Sequence, residues 1–145
     1  MKYDGSDEDF DSSNEPYRRI WTRSIKNGEY GQIYKNIDVL VVPLEDTFFN
    51  QKKSCIKFTE AGFTNTSIMT SNVLPYSDFG QDRKDCMLVW ETNPCGWANK
   101  MVEMINNERL RISIAENLHN RVVQEQNLYI ITKYRDQLYS RLTYK

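Results

Sequence analysis

Lys52, Lys53, Ser54, Lys57 and Glu60 fall together inside the stretch NQKKSCIKFTEAGF, residues 50–63. The pattern predicts a helix over about 53–63, so the lysines crowd its first turn. A helix N-terminus already carries partial positive charge, and cations there are unfavourable unless something negative arrives. Unpaired backbone N–H groups at such a start bind anions. Ser54 can cap the helix or give its hydroxyl to a phosphate. Lys57 lies one turn along and reaches back to the same spot, while Lys52 and Lys53 add local positive potential. Glu60 follows Lys57 at i+3, so the two side chains are surface neighbours. A carboxylate beside a phosphate site suits the vicinal hydroxyls of a ribose, as in dinucleotide folds. Spacing alone leaves two readings open. One is an anion site for a phosphate and a sugar. The other is a solvated face whose Lys57–Glu60 pair contributes only about 0.3 kcal/mol. The sequence has no Gly-rich phosphate loop of either usual type, and no Ser/His/acid or Cys/His set stands out.

The elements that must position these residues are legible from periodicity. IDVLVVPL (37–44) is a nearly unbroken β-branched run. It reads as a strand buried on both faces, as in a parallel sheet covered by helices, and Pro43 stops it. YRRIWTRSI (17–25) predicts an earlier strand, and NGEYGQIYKN (27–36) a short amphipathic helix with Tyr30, Ile33 and Tyr34 on one side. TSIMTSNV (66–73) and CMLVW (86–90) predict further strands, with LPYSDFG (74–80) a loop. Three helices follow, over 97–107, 108–126 and 128–142. The second carries Leu110, Ile114, Leu118 and Val122 at intervals of four. Strands alternating with helices argue for an α/β fold with a parallel sheet and right-handed crossovers. Only about four strands are available, fewer than the two halves of a doubly wound sheet require.

The chain has 145 residues, 39% hydrophobic and 12% aromatic, enough for one domain with its own core. Net charge is −1, which provides no global basic field for nucleic acid. Asp4, Asp7, Glu8, Asp9, Asp11 and Glu15 make residues 1–16 an acidic segment, expected to be poorly ordered. The domain proper is expected over 17–145. Cys55, Cys86 and Cys95 show no C-x-x-C spacing and His119 is the sole histidine. That set falls short of the roughly four ligands of a structural zinc site, so no metal is expected. Scattered thiols fit a reducing compartment, and His119 is expected at the helical surface. No apolar run reaches the roughly 18 residues of a membrane span. The expectation is a soluble, cytoplasmic chain, with peripheral attachment at the inner face of a membrane compatible with it.

At the same residues the sequence resembles a family. Asp38 to Leu44, then Asn50, Lys53, Ser54, Lys57 and Glu60, then Ser71, Val73, Pro75 and Tyr76 are similar to the carboxyl-terminal, donor-binding domain of GT-B glycosyltransferases. The resemblance is to the retaining nucleotide-sugar type of a bacterial branch common in polysaccharide gene clusters. It covers roughly 17–140, with a generic helical tail. It implies a partial Rossmann-like domain in which Glu60 holds the donor ribose. The turn Lys53, Ser54, Cys55, Ile56 would cradle the diphosphate with its amides, and Ser54 and Lys57 would touch it. Lys57 and Glu60 are the expected catalytic residues. Many relatives carry a sugar-contacting glutamate at the position held here by Lys52. Their phosphate-binding Arg/Lys pair and their whole acceptor-binding domain have no counterpart here, so the resemblance implies a truncated enzyme. The nucleoside diphosphate sugar is substrate rather than cofactor, and the glycan or lipid-linked acceptor would dock through the missing N-terminal domain.

Two classes of function follow. The first is the donor half of a glycosyltransferase. The second is a catalytically inactive nucleotide-binding or interaction module that docks on a separate acceptor-domain partner. A flavodoxin-like receiver domain would want an acidic pocket at the strand ends, and the lysine cluster has the opposite sign. An uncovered edge of a half-sheet favours association, so a homodimer is expected.

Overall fold

A computed structural model describes residues 30–90 and 93–143. The chain divides into two compact units, Met1–Tyr30 and Gly31–Lys145, and the description concerns the second. The expected acidic segment 1–16 and the expected strand 17–25 lie outside the described residues.

A 3₁₀ helix, Tyr30–Asn36, leads into strand β1, Val39–Val42. A 3₁₀ turn at Asn50–Lys52 precedes helix α1, Ile56–Phe63. Strand β2 is Ser67–Ser71, α2 is the single turn Tyr76–Phe79, and β3 is Met87–Val89. Helices α3 (Pro94–Asn106), α4 (Glu108–Glu125) and α5 (Leu128–Thr143) complete the chain. The three strands form a wholly parallel sheet in the order β1-β2-β3. Leu40 pairs with Ile68, and Thr70 with Leu88. The fold is therefore mixed α/β, with a parallel sheet, flanking helices and a helical C-terminus.

Each sheet face has its own core. Leu40, Val42, Ile68 and Leu88 share one face and pack with Phe58 and Ala61 of α1, Tyr76, and Leu118 and Val122 of α4. Met69, Met87 and Val89 point the other way, against Met104 of α3 and Ile114 of α4. α4 thus serves both cores, which explains its apolar interval of four: Ile114, Leu118 and Val122 are all fully buried. α1 approaches α4 closely at Gly62, where an added Cβ would lie 2.6 Å from Val122 Cγ2. The hydroxyl of Thr70, fully buried in β2, has no hydrogen-bond partner among the described residues. Such an unmet group costs about 1–3 kcal/mol.

β1 corrects one expectation. It is an edge strand of the described sheet, and Val41 is 38% exposed. The strands buried on both faces are β2 and β3, where every residue is buried. A continuous β-branched run signals a strand, but its neighbours decide whether both faces are covered.

Capping sets the helix boundaries after β3. The Asn93 side chain accepts from Gly96 N at 2.8 Å, and Pro94 occupies the first turn, so α3 begins before the expected 97. Asn107 ends α3 and caps α4, accepting from Leu110 N at 3.1 Å. Arg111 secures this corner by donating to the carbonyls of Met104 and Ile105 at 2.7 and 2.6 Å. α2 falls where a loop was expected. One turn closes after Pro75, and Gly80 N donates to Tyr76 O at 2.8 Å.

Candidate functional site at the carboxyl end of the sheet

β1 ends at Pro43, and the chain leaves across the carboxyl edge of the sheet. Leu44 N donates to Ser71 Oγ at 2.8 Å, tying this exit to the end of β2. The connection then braces itself. Asn50 Nδ2 donates to Glu45 O at 2.9 Å, and Gln51 Nε2 to Asp46 Oδ1 at 2.8 Å. The 3₁₀ turn follows, and Lys53 leaves it in extended conformation, with ψ 160°.

This geometry moves the start of the helix. α1 begins at Ile56 rather than at Lys53, and its N-cap is Cys55, whose side chain makes no capping bond. Ser54 is exposed and precedes the cap, so the expected capping role does not hold. The Lys53 amide already donates to Asn50 O at 3.1 Å, which removes it from the expected amide cradle. The physical reason is the 3₁₀ turn: its closing bond directs the 53 amide back along the chain. What remains at the helix start is the uncapped turn at Cys55, Ile56 and Lys57, with no acidic residue in it.

The lysines, expected to crowd one turn, separate. Lys52 lies over the Phe48 ring at 5.3 Å and Lys53 over Phe49 at 5.1 Å, with both rings largely exposed. Lys57 alone stands in the first turn of α1. Its Nζ is 2.6 Å from Glu60 Oε2, and the same oxygen accepts from the Tyr34 hydroxyl at 2.6 Å. The second carboxylate oxygen, Oε1, takes part in neither bond. The Lys57 and Glu60 side chains are 34% and 22% exposed, so solvent still screens the pair. Tyr76 stands behind it, its ring 5.4 Å from that of Phe58. Burial pushes the Tyr76 phenol up, Lys57 opposes this, and Cys55 and Glu60 reinforce it. Cys55 and Ile56 differ in setting. Cys55 is half-buried against the α1-side core, and Ile56 is 55% exposed.

Tyr34 and Tyr76 are the residues that local spacing missed as neighbours of Glu60. Tyr34 is 26 positions from Glu60, beyond any helical or strand period. Tyr76 belonged to the quoted family motif, without a role. A separate cleft of about 530 Å³ opens beside β1 and β2, lined by Pro43, Leu44, Glu45, Asp46, Ser71, Val73 and Trp97. Its volume lies in the range of small-molecule sites. Lys53, Ser54, Lys57 and Glu60 are not among its lining residues. The fold thus pairs Lys57 with Glu60, with Cys55 and Ile56 in the same turn, sets the Lys53 ammonium over the Phe49 ring, and leaves Ser54 exposed just before the cap.

No group of three or more His, Cys, Asp or Glu capable of holding a metal occurs among the described residues. The three cysteines are free. His119 is half-buried rather than a plain surface residue, and its Nδ1 lies 2.8 Å from Gly62 O. No helix of the described residues is long and apolar enough to cross a membrane. Set against known protein families, curated proteins and solved structures, the chain matches none.

Proposed function

We propose that the chain is the nucleotide-sugar donor-binding portion of a glycosyltransferase, with a Rossmann-like partial GT-B domain. The observation that carries this reading is the start of α1. It follows a parallel strand at the carboxyl edge of the sheet, where ligands bind in open α/β folds. It lacks a side-chain cap and a first-turn acid, and it presents Lys57. The Ile56 and Lys57 turn would meet the diphosphate. Glu60 would accept ribose hydroxyls through Oε1, with Tyr34 and Lys57 fixing its orientation through Oε2. As the sugar–phosphate bond breaks, negative charge grows on the departing diphosphate, and helix N–H groups and Lys57 stabilise it as it forms. The acceptor would be a glycan or a lipid-linked sugar, held by another domain.

The second reading, a catalytically inactive binding module, is favoured by one specific contact. Lys57 is already neutralised by Glu60 at 2.6 Å, so its charge is only partly available to a phosphate. Titration separates the two readings from a chain with no donor site. Binding of UDP, GDP and their sugar conjugates is measured for the native chain, Lys57→Ala and Glu60→Ala. A donor site predicts binding that weakens about tenfold in each variant, the scale of a charge-assisted hydrogen bond. Absence of binding by the native chain at millimolar nucleotide rejects it. Binding without sugar transfer, once an acceptor domain is supplied, selects the second reading.

A further inference from the structure

Tyr34 is almost wholly buried, at 5% exposure, yet its hydroxyl ends on a carboxylate that reaches solvent. The 3₁₀ helix Tyr30–Asn36 carries it, and Ile37 N donates to Tyr34 O at 3.2 Å as the chain turns into β1. The residue is thus held both at its backbone and by what buries its ring. A tyrosine has only two side-chain torsions, so burial leaves the hydroxyl little freedom of direction. Glu60 is anchored at its own backbone, where its carbonyl accepts from the Thr64 hydroxyl at 2.8 Å. Its carboxylate accepts from Tyr34 at 2.6 Å, within the range of an O–H···O⁻ bond.

Two donors therefore meet on one oxygen. Oε2 accepts from both Tyr34 and Lys57, and Oε1 takes part in neither bond. Asp85, which braces the fold, spreads its bonds instead: Oδ1 accepts from Gln81 N and Oδ2 from Arg121. The two donors on Oε2 are unequal. Lys57 is 34% exposed on a flexible stem, and a screened i,i+3 pair orients its partner weakly. The buried phenol is the stiffer of the two, and its direction sets the torsion of the carboxylate. An ionised carboxylate only accepts, and each of its oxygens offers two lone-pair sites. The partner of Oε1 is therefore a donor group rather than an ionised phosphate. Held in one orientation, Oε1 can take both hydroxyls of a vicinal diol. A carboxylate free to turn serves a single hydroxyl as readily, and the diol loses its advantage.

We infer that Tyr34 is a positioning residue that aims Glu60 Oε1 and thereby makes the site select ribonucleotides over 2′-deoxyribonucleotides. This selectivity rests on the donor site proposed at α1 and adds the class of nucleotide accepted and the residue that enforces the choice.

The test is calorimetric titration of the full chain with UDP and with 2′-deoxy-UDP, for native protein and Tyr34→Phe, with a thermal melt of each. The native chain is expected to bind UDP about tenfold more tightly than 2′-deoxy-UDP, the scale of one hydrogen bond to a charged group. Tyr34→Phe keeps the ring and is expected to melt cooperatively. It should lose about tenfold in UDP affinity and stay within about twofold of the native chain toward 2′-deoxy-UDP, so that the preference collapses. Equal weakening toward both nucleotides would make Tyr34 a structural support and overturns the inference, as does a preference that survives in Tyr34→Phe. Should that variant fail to fold, Glu60→Gln carries the test. Tyr34 and Lys57 both donate, so they draw the amide oxygen to the Oε2 position and leave N–H groups where Oε1 stood. The ribose preference is then expected to vanish, and its survival overturns the inference. Failure here and failure of the donor site are read separately. Native protein that binds both nucleotides alike, each weakened by Lys57→Ala, keeps the donor site and overturns the role of Tyr34. Native protein that binds neither at millimolar concentration rejects the donor site and the inference with it.

Discussion

Two ion pairs of the same chemistry hold opposite places in this protein. Arg121–Asp85 joins α4 to the chain entering β3, at 2.8 Å, with the Asp85 side chain only 3% exposed. Lys57–Glu60 lies within α1 at the carboxyl edge of the sheet, at 2.6 Å, and both partners reach solvent. Asp85 also accepts from Gln81 N at 2.6 Å, and Arg121 lies 4.1 Å over the Phe79 ring and donates to Phe79 O. Both oxygens of Asp85, and Nη1 and Nε of Arg121, are committed to neighbouring chain. In the second pair Oε1 of Glu60 joins neither of the two bonds made by Oε2, and the first turn of α1 has no side-chain cap. A buried carboxylate with both oxygens bonded fixes the fold, whereas a pair whose two partners both reach solvent at a strand end is where a ligand can compete.

Breaking the buried pair gives the largest expected effect. Asp85→Ala strands Arg121 and the Gln81 amide, and is expected to cost about 3 kcal/mol. Thermal unfolding checks it: the midpoint should fall by roughly 6–12 °C at this chain length. A fall below about 3 °C would mean that the pair is not the anchor described.

Gly62→Ala tests the contact that presses α1 onto α4. The new Cβ would stand 2.6 Å from Val122 Cγ2, and the expected loss is about 2 kcal/mol from overpacking. Denaturant titration reads it, and Gly62→Ala/Val122→Ala should recover part of the loss, because the clash is with that side chain.

Lys57→Ala sharpens the comparison from the other side. Its stability should change by less than about 1 kcal/mol, as for a screened pair, while nucleotide affinity falls about tenfold. Equal loss of both would make the Lys57–Glu60 pair a second structural anchor rather than part of a site.

The smallest expected effect follows pH. Burial pushes the Cys86 thiol well above its usual range, with Asp85 and Asp82 adding to the rise and Arg121 opposing it. The folded state therefore keeps its thiol proton where the unfolded chain has lost it. Stability is fully present below the unfolded thiol pKa of about 8.5 and is lost as pH rises above it. Melts of native and Cys86→Ala protein between pH 7 and 10 should show the steeper alkaline decline in the native chain.

Much of the architecture is legible in local pattern. The β-branched run 37–44 contains β1, TSIMTSNV contains β2, and the interval of four in 108–126 predicts α4 to within one residue at each end. Boundaries fail where backbone bonds compete with pattern. Lys53 to Cys55 read as helix, but the 3₁₀ turn closing on Asn50 holds them out of it. α2 is invisible because its single turn shows no period. At the site, Lys57 and Glu60 are paired as their spacing requires. Tyr34 and Tyr76 arrive from distant elements, and no local rule joins them to it. His119 reads as surface by composition, yet the close packing of α1 on α4 brings it to the Gly62 carbonyl.

The strand order also bears on how the chain assembles. Val39 pairs with Ser67, whereas Met69 pairs with Met87, so β2–β3 pairing closes the shorter loop. Loop-closure entropy favours it by about 0.4 kcal/mol over β1–β2 pairing. A difference of that size, below thermal energy, biases pairing only slightly toward β2–β3. The connection that carries Lys57 and Glu60 is the longer of the two crossovers, so the candidate site lies on the segment with the larger closure entropy.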